Sequence, residues 1–119
     1  MIESAFHPRL SIRVELAAGV RIGPGKVLLL EEIASSGSIS AAGRKLKMSY
    51  RRAWELVEDL NRGLDMPVVV TAAGGAGGGG ARLTEAGQAV VREYRKLEAA
   101  CGAAAAPHLA ALRRLAGDG

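Results

Sequence analysis

The sequence predicts a mainly α-helical protein with one small β-hairpin. Three observations predict it. Residues 36–61, SGSISAAGRKLKMSYRRAWELVEDLN, read as two helices joined by a tight turn, with arginines at the start of the second. Strand-like residues then flank a glycine run on both sides, VVVTA before it and ARLT after it. The chain closes on a long stretch whose apolar residues repeat at four-three spacing. Two closely joined helices followed by a hairpin make a winged helix-turn-helix, and the last stretch makes a long C-terminal helix, read either as a dimerisation helix or as packing on the domain's own core. The expected domain covers residues 10–105, with the long helix over 85–105 and a separate short helix over 107–116.

The elements follow in order. Residues 1–9 carry no pattern and read as a loose end. Leu10, Ile12, Val14 and Leu16 alternate with Ser11, Arg13 and Glu15, the pattern of a strand with one buried face. The Gly-rich turn GVRIGPG leads to a helix opened by Pro24 or Gly25, with Val27, Leu30, Ile33 and Ala34 toward the core. Ser36 and Gly37 end it. Ser38 is an N-cap for the next short helix, whose last core residue is Leu46. Ser49 offers a second N-cap. The helix behind it places Ala53, Leu56, Val57, Leu60 and Leu64 on one apolar face. Met66 and Pro67 break that helix, and VVVTA at 68–72 is β-branched enough for a strand. Thr84 caps the long helix without a Glu or Gln at its third position, so the capping box is incomplete.

Composition narrows the class of function. Hydrophobic residues make up 49% of the 119 residues, enough for one domain with a core. Aromatics are 3%, which disfavours an RNA reader built on stacking. A formal charge of +4 suits a polyanionic partner. The single cysteine, Cys101, excludes an internal disulfide and a cysteine metal cluster, and suits a reducing cytoplasm. No signal-peptide core and no membrane-spanning run is present. His7 and His108 stand in no metal-ligand spacing, and no catalytic triad or carboxylate pair has local support. The expected protein is not an enzyme.

The charge pattern points to DNA. Ile33 to Trp54 contains no acid, where an even spread would put roughly two. The same window holds Arg44, Lys45, Lys47, Arg51 and Arg52. Tyr50, Arg51 and Arg52 fall in the first turn of the second helix, where a recognition helix meets base edges and phosphates. The bland alternative is a solvated basic face on an ordinary helix pair. In the hairpin, Gly74, Gly75 and Gly77 to Gly80 are expected at the wing tip, free of side chains and able to offer backbone N–H groups to a phosphate. The wing residues are Gly75, Gly77, Gly78, Gly79 and Gly80, with Arg82 at the base. No Lys-Ser or Lys-Thr pair follows the glycines, so a nucleotide loop is disfavoured, and a plain linker is the other alternative. Val90, Tyr94, Leu97, Cys101 and Ala104 form a short heptad seam that suits a partner helix or, equally, the domain's own core.

Three stretches carry a resemblance: SGSIS at 36–40, SYRRAWELVEDLN at 49–61 and GGAGGGGARLTEAGQ at 74–88. Together, and in this order, they resemble the N-terminal DNA-binding domain of the molybdate-responsive transcriptional regulators, the ModE family, whose reader is close to the LysR type. The resemblance implies a homodimer through the long helix on a palindromic operator of molybdenum uptake or use genes. It implies DNA contacts from Ser49, Tyr50, Arg51 and Arg52, with Lys47 and Ser38 near phosphates. It implies that Ala53 and Trp54 hold the helix to the core. Two departures stand out. Ala76 occupies a position where the family's wing often carries lysine. Family members also continue into β-stranded molybdate-binding domains, and residues up to Gly119 contain none. The expectation is therefore no cofactor in this chain, with molybdate reached only through a missing domain or a partner. The alternative function is a protein-interaction module that heterodimerises with a full-length regulator.

Overall fold

α1 (Pro24–Ser36) is the centre of the core, and the other elements are arranged around it. In a computed structural model the fold is described for residues 7–75 and 78–117. Pro24 at the first helical position loses nothing by lacking an N–H, and Gly37, at φ 74°, closes the helix with its N–H on the Ile33 carbonyl at 2.8 Å. Val27, Leu29, Leu30 and Ile33 are fully buried. Leu29 lies outside the expected core face, and Ala34, expected on it, is exposed. α1 is covered on several sides, so its buried face is wider than one stripe.

α2 (Ile39–Lys45) and α3 (Tyr50–Gly63) follow as expected from their caps. Ser38 Oγ accepts from Ala41 N and Ser49 Oγ from Arg52 N, both at 3.0 Å. The two helices touch closely at Gly43, where a Cβ would lie 3.1 Å from the Ala53 Cβ. Ala53, Leu56, Val57 and Leu60 are buried, and Trp54 packs partly against them.

Two antiparallel ladders flank the helices. β1 (Val14–Ala17) pairs with β2 (Val20–Ile22) through a turn whose Gly19 sits at φ 78°. The expected strand over 10–16 is thus shorter and later, and β2 lies where the sequence reads as turn. The expected buried face is also corrected: Leu10 is 40% and Leu16 56% exposed. A two-stranded ladder has no second layer of its own, so alternation alone does not decide coverage.

β3 (Val69–Gly75) pairs with β4 (Gly78–Leu83) as the wing. Gly75, Gly78, Gly79 and Gly80 belong to the strands rather than to a tip, because the ladder needs only backbone groups and tolerates a register shift between Ala72 and Gly75. Ala76 and Gly77 lie outside the described residues. Both strands of the wing are held toward its base. Ala81 N donates to the Gly37 carbonyl at 2.9 Å. Asn61 on α3 accepts from Val68 N at 2.8 Å and donates to the Val69 carbonyl at 3.2 Å.

α4 (Glu85–Ala116) is a single helix of 32 residues, about 48 Å long by its rise. The expected break at Pro107, with a separate helix over 107–116, is corrected. Proline removes one intrahelical bond, but Ala103 to Ala106 before it are strong helix formers, and the helix is exposed enough for water to take the freed carbonyl. Thr84 Oγ1 accepts from Gly87 N at 3.0 Å and donates to the Pro67 carbonyl at 2.7 Å, which fixes where the helix starts. Tyr94 is buried and donates its hydroxyl to the Ile12 carbonyl at 2.7 Å. Among the described residues no helix is long and apolar enough to cross a membrane.

Arg95 ties α4 to α1. It donates to both Glu31 oxygens, at 2.7 and 3.0 Å, and to Glu98 at 2.6 Å. These hydrogen bonds hold the Glu31 carboxyl below its ordinary 4.5, with burial opposing. A depressed carboxylate contributes stability above its unfolded value and loses it as pH falls through the folded one. The pair is about one-third exposed, so the effect is modest. Thermal melts between about pH 6 and pH 3 should show Glu31→Gln losing less stability than wild type on acidification. Equal losses would place the acid-sensitive groups elsewhere.

Candidate nucleic-acid interface

The first turn of α3 projects from the body. Tyr50 is 62% exposed, and the Arg51 side chain is 89% exposed. Helix geometry sorts these residues by position. Tyr50 and Trp54, four apart, share one flank; Arg52 and Leu56 share another, about 200° around the axis from Tyr50 and Trp54. Arg51 and Arg52 reach Glu55 at 3.4 and 3.8 Å. Both ion pairs are exposed and long, worth little, and either guanidinium can leave for a better anion.

On the Tyr50 flank a surface hollow of about 340 Å³ lies between α2, α3 and the wing. Ser38, Ser40 and Thr71 line it together with Tyr50 and Trp54. Ser38 already uses its oxygen as a cap and keeps its O–H as a donor. The Trp54 ring stands edge-on to Tyr50 at 6.1 Å, and its Nε1 is buried with no hydrogen-bond partner. Ala53 and Trp54 thus hold α3 to the body.

Lys47 sits in the turn between α2 and α3 at φ 60°, a left-handed position for a side chain with a Cβ. Leu46, Lys47 and Met48 donate back to Ala42, Arg44 and Gly43, which makes the turn tight enough to demand it. A glycine would relieve this strain. Lys47→Gly is expected to raise the melting temperature slightly, by about 0.5 kcal/mol of stability, and, if Lys47 holds a DNA phosphate, to weaken DNA binding roughly fivefold. Unchanged DNA affinity would remove Lys47 from the interface.

The remaining expected site residues are dispersed. Ser49 is exposed and acts as the α3 cap. Arg82 is exposed on β4, opposite Val70. Gly75, Gly78, Gly79 and Gly80 form the wing ladder, and Gly77 lies outside the described residues. In the seam, Tyr94 is taken up by the chain's own core. Val90 and Cys101 are half-buried, Leu97 is 39% exposed, and Ala104 is exposed. Among the described residues no group of three or more metal-ligating side chains comes together. Sequence reasoning misses Asn61. Its signal is present: a polar residue four after Val57 and three before Leu64, on an apolar face.

The sequence profile of the bacterial regulatory helix-turn-helix proteins of the lysR family matches residues 26–88, more than half of the chain. The chain belongs to that family. The matched stretch starts in α1 and ends in the first turn of α4, so it takes in the helix pair and the wing of this LysR-family domain. The chain is 41% identical over 90 residues to the molybdenum-pterin-binding protein MopA of Rhodobacter capsulatus, covering 76% of this chain and 34% of that protein. It is 36% identical over 98 residues to the molybdenum transport protein ModE of Azotobacter vinelandii, covering 82% and 36%. To the DNA-binding transcriptional dual regulator ModE of Escherichia coli K12 it is 41% identical over 71 residues, covering 60% and 27%. The similarity to ModE regulators expected from the three sequence stretches is therefore found. The chain spans between 27% and 36% of the length of these relatives.

Proposed function

We propose that this LysR-family chain is a DNA-binding transcriptional regulator of genes for molybdenum uptake or use, acting in the cytoplasm as a homodimer on a palindromic operator. The observation that carries the DNA reading is the first turn of α3. It presents Tyr50, Arg51 and Arg52 to solvent beside a wing, in a stretch from Ile33 to Trp54 free of acids. In this reading α3 enters the major groove, Ser49, Tyr50, Arg51 and Arg52 meet base edges or phosphates there, and Ser38 and Lys47 contact the backbone. The molybdenum link rests on the names of the relatives.

The dimer reading is supported by α4. Val90 and Leu97 line an apolar hollow of about 290 Å³ with Val14, Leu16 and Ile22 of the first ladder. Leu112 and Leu115 further along the helix are 61% and 83% exposed. Such surface suits a second copy of α4. The same exposed leucines support a second reading, in which α4 pairs with a full-length regulator. Sedimentation of the chain with DNA from upstream of its own gene tests both. Two chains per duplex are expected. One chain per duplex, or a complex formed only after a full-length relative is added, would overturn the homodimer.

The single tryptophan gives an internal reporter. Trp54 stands behind Tyr50 at the proposed face, so saturating DNA is expected to change its emission. Emission that stays the same at saturation would place DNA on another surface.

A further inference from the structure

A recognition helix in the major groove, about 12 Å wide, runs between two phosphate walls. The Tyr50 flank of α3, with the start of α2 and the wing beside it, is set toward one of them. The opposite flank of α3 carries Arg52, and there it opens on a second hollow of about 300 Å³. Arg13 from just before β1, Arg21 from β2 and Lys26 from the first turn of α1 line it with Arg52. Four cations from four separate places in the chain meet around one depression, and no acid is among the residues that line it.

The local geometry keeps this charge outward. Lys26 Nζ donates to the Arg21 carbonyl at 2.8 Å, which ties the start of α1 to β2. Arg21 meets Glu15 at 3.4 Å, but both side chains are more than half exposed and the pair is weak. Arg13 and Arg52 are exposed. Arg52 likewise has only a long, exposed pair with Glu55, at 3.8 Å, so the gathered like charges are weakly compensated and a polyanion relieves their repulsion.

We infer that Arg13, Arg21 and Lys26, with Arg52, bind the DNA backbone on the second wall of the groove, so that the first ladder and the start of α1 are part of the DNA interface. The inference rests on the proposed DNA reading and extends it to a surface outside the helix pair and wing. Each phosphate contact adds about 0.9 to the slope of log affinity against log salt, whereas a merely structural arginine adds nothing. Phosphate contacts carry no base information, so removing one weakens all sequences alike.

The test is a salt titration of DNA binding for Arg13→Gln, Arg21→Gln, Arg13→Lys and the control Arg92→Gln, which lies on α4 outside the hollow. Arg13→Gln and Arg21→Gln are each expected to lower the slope by about 0.9 and to weaken binding about fivefold at 0.15 M salt. Their melting temperatures and their preference for operator over scrambled DNA should stay as in wild type. Arg13→Lys should keep the slope. A slope equal to wild type in both glutamine variants, or an equal fall in Arg92→Gln, overturns the inference. So does a wild-type melting temperature raised by inorganic phosphate at constant ionic strength, lost in the glutamine variants without a change in their DNA slopes, because the hollow then takes a free anion. Wild type that binds no DNA overturns the parent reading instead, and is told apart by that result alone.

Discussion

Gly87→Ala is expected to lose about 3 kcal/mol of stability, enough to lower the melting temperature by more than about 10 °C in a domain of this size. A Cβ at Gly87 would lie 2.2 Å from the Val68 carbonyl oxygen, 3.1 Å from its carbon and 3.3 Å from the Leu83 Cβ. The two closest atoms are backbone and cannot rotate away. Val68 O also accepts from Thr84 N at 3.0 Å, and Thr84 caps Gly87 N, so moving one strand of this joint breaks the others. The joint is where the wing hands over to α4. Gly102→Ala is the matched control: nothing lies within 4 Å of its Cβ position, and a helical glycine replaced by alanine should gain about 0.5–1 kcal/mol. Circular-dichroism melts of the two variants should move in opposite directions. A Gly87→Ala melt equal to wild type would contradict the close approach of α4 to the Val68 backbone, just before β3.

The second large effect is on DNA. Arg51→Ala or Arg52→Ala is expected to cost about 1–3 kcal/mol of operator binding if that arginine reads a base, roughly five- to 150-fold in affinity. Neither change should cost appreciable stability, since each arginine holds only an exposed ion pair with Glu55, at 3.4 Å for Arg51 and 3.8 Å for Arg52. If the arginine reads a base, its removal lowers the preference for operator over scrambled DNA. If it holds a phosphate, its removal weakens both equally and lowers the salt slope. Arg52 borders the basic hollow and Arg51 does not, so Arg52 is expected to show the larger change in slope.

The helix starts and the end of α1 are legible in the sequence because their signals are local. Ser38, Ser49 and Thr84 cap the helices they precede, and Gly37 takes the left-handed position that ends α1. The winged helix-turn-helix follows from those boundaries plus the hairpin. Illegible features depend on what comes from elsewhere in the chain. The alternation Leu10 to Leu16 shows a strand but not whether anything covers it. Pro107 reads as a helix start on local grounds, and only the alanines around it and exposure to water let the helix pass through. Arg13, Arg21, Lys26 and Arg52 look like scattered charges until folding brings them around one hollow. Tyr94 fits a seam by spacing, yet its hydroxyl finds the Ile12 carbonyl 82 positions away.

The most direct measurement is fluorescence anisotropy of the purified chain on DNA from upstream of its own gene, against scrambled DNA at the same salt, with and without molybdate. The proposed function predicts tighter binding to the upstream DNA, lost in the Arg51→Ala, Arg52→Ala double variant and independent of molybdate. Equal affinity for the two DNAs, or a double variant that keeps the wild-type preference, would contradict the assignment of α3 as the element that reads sequence.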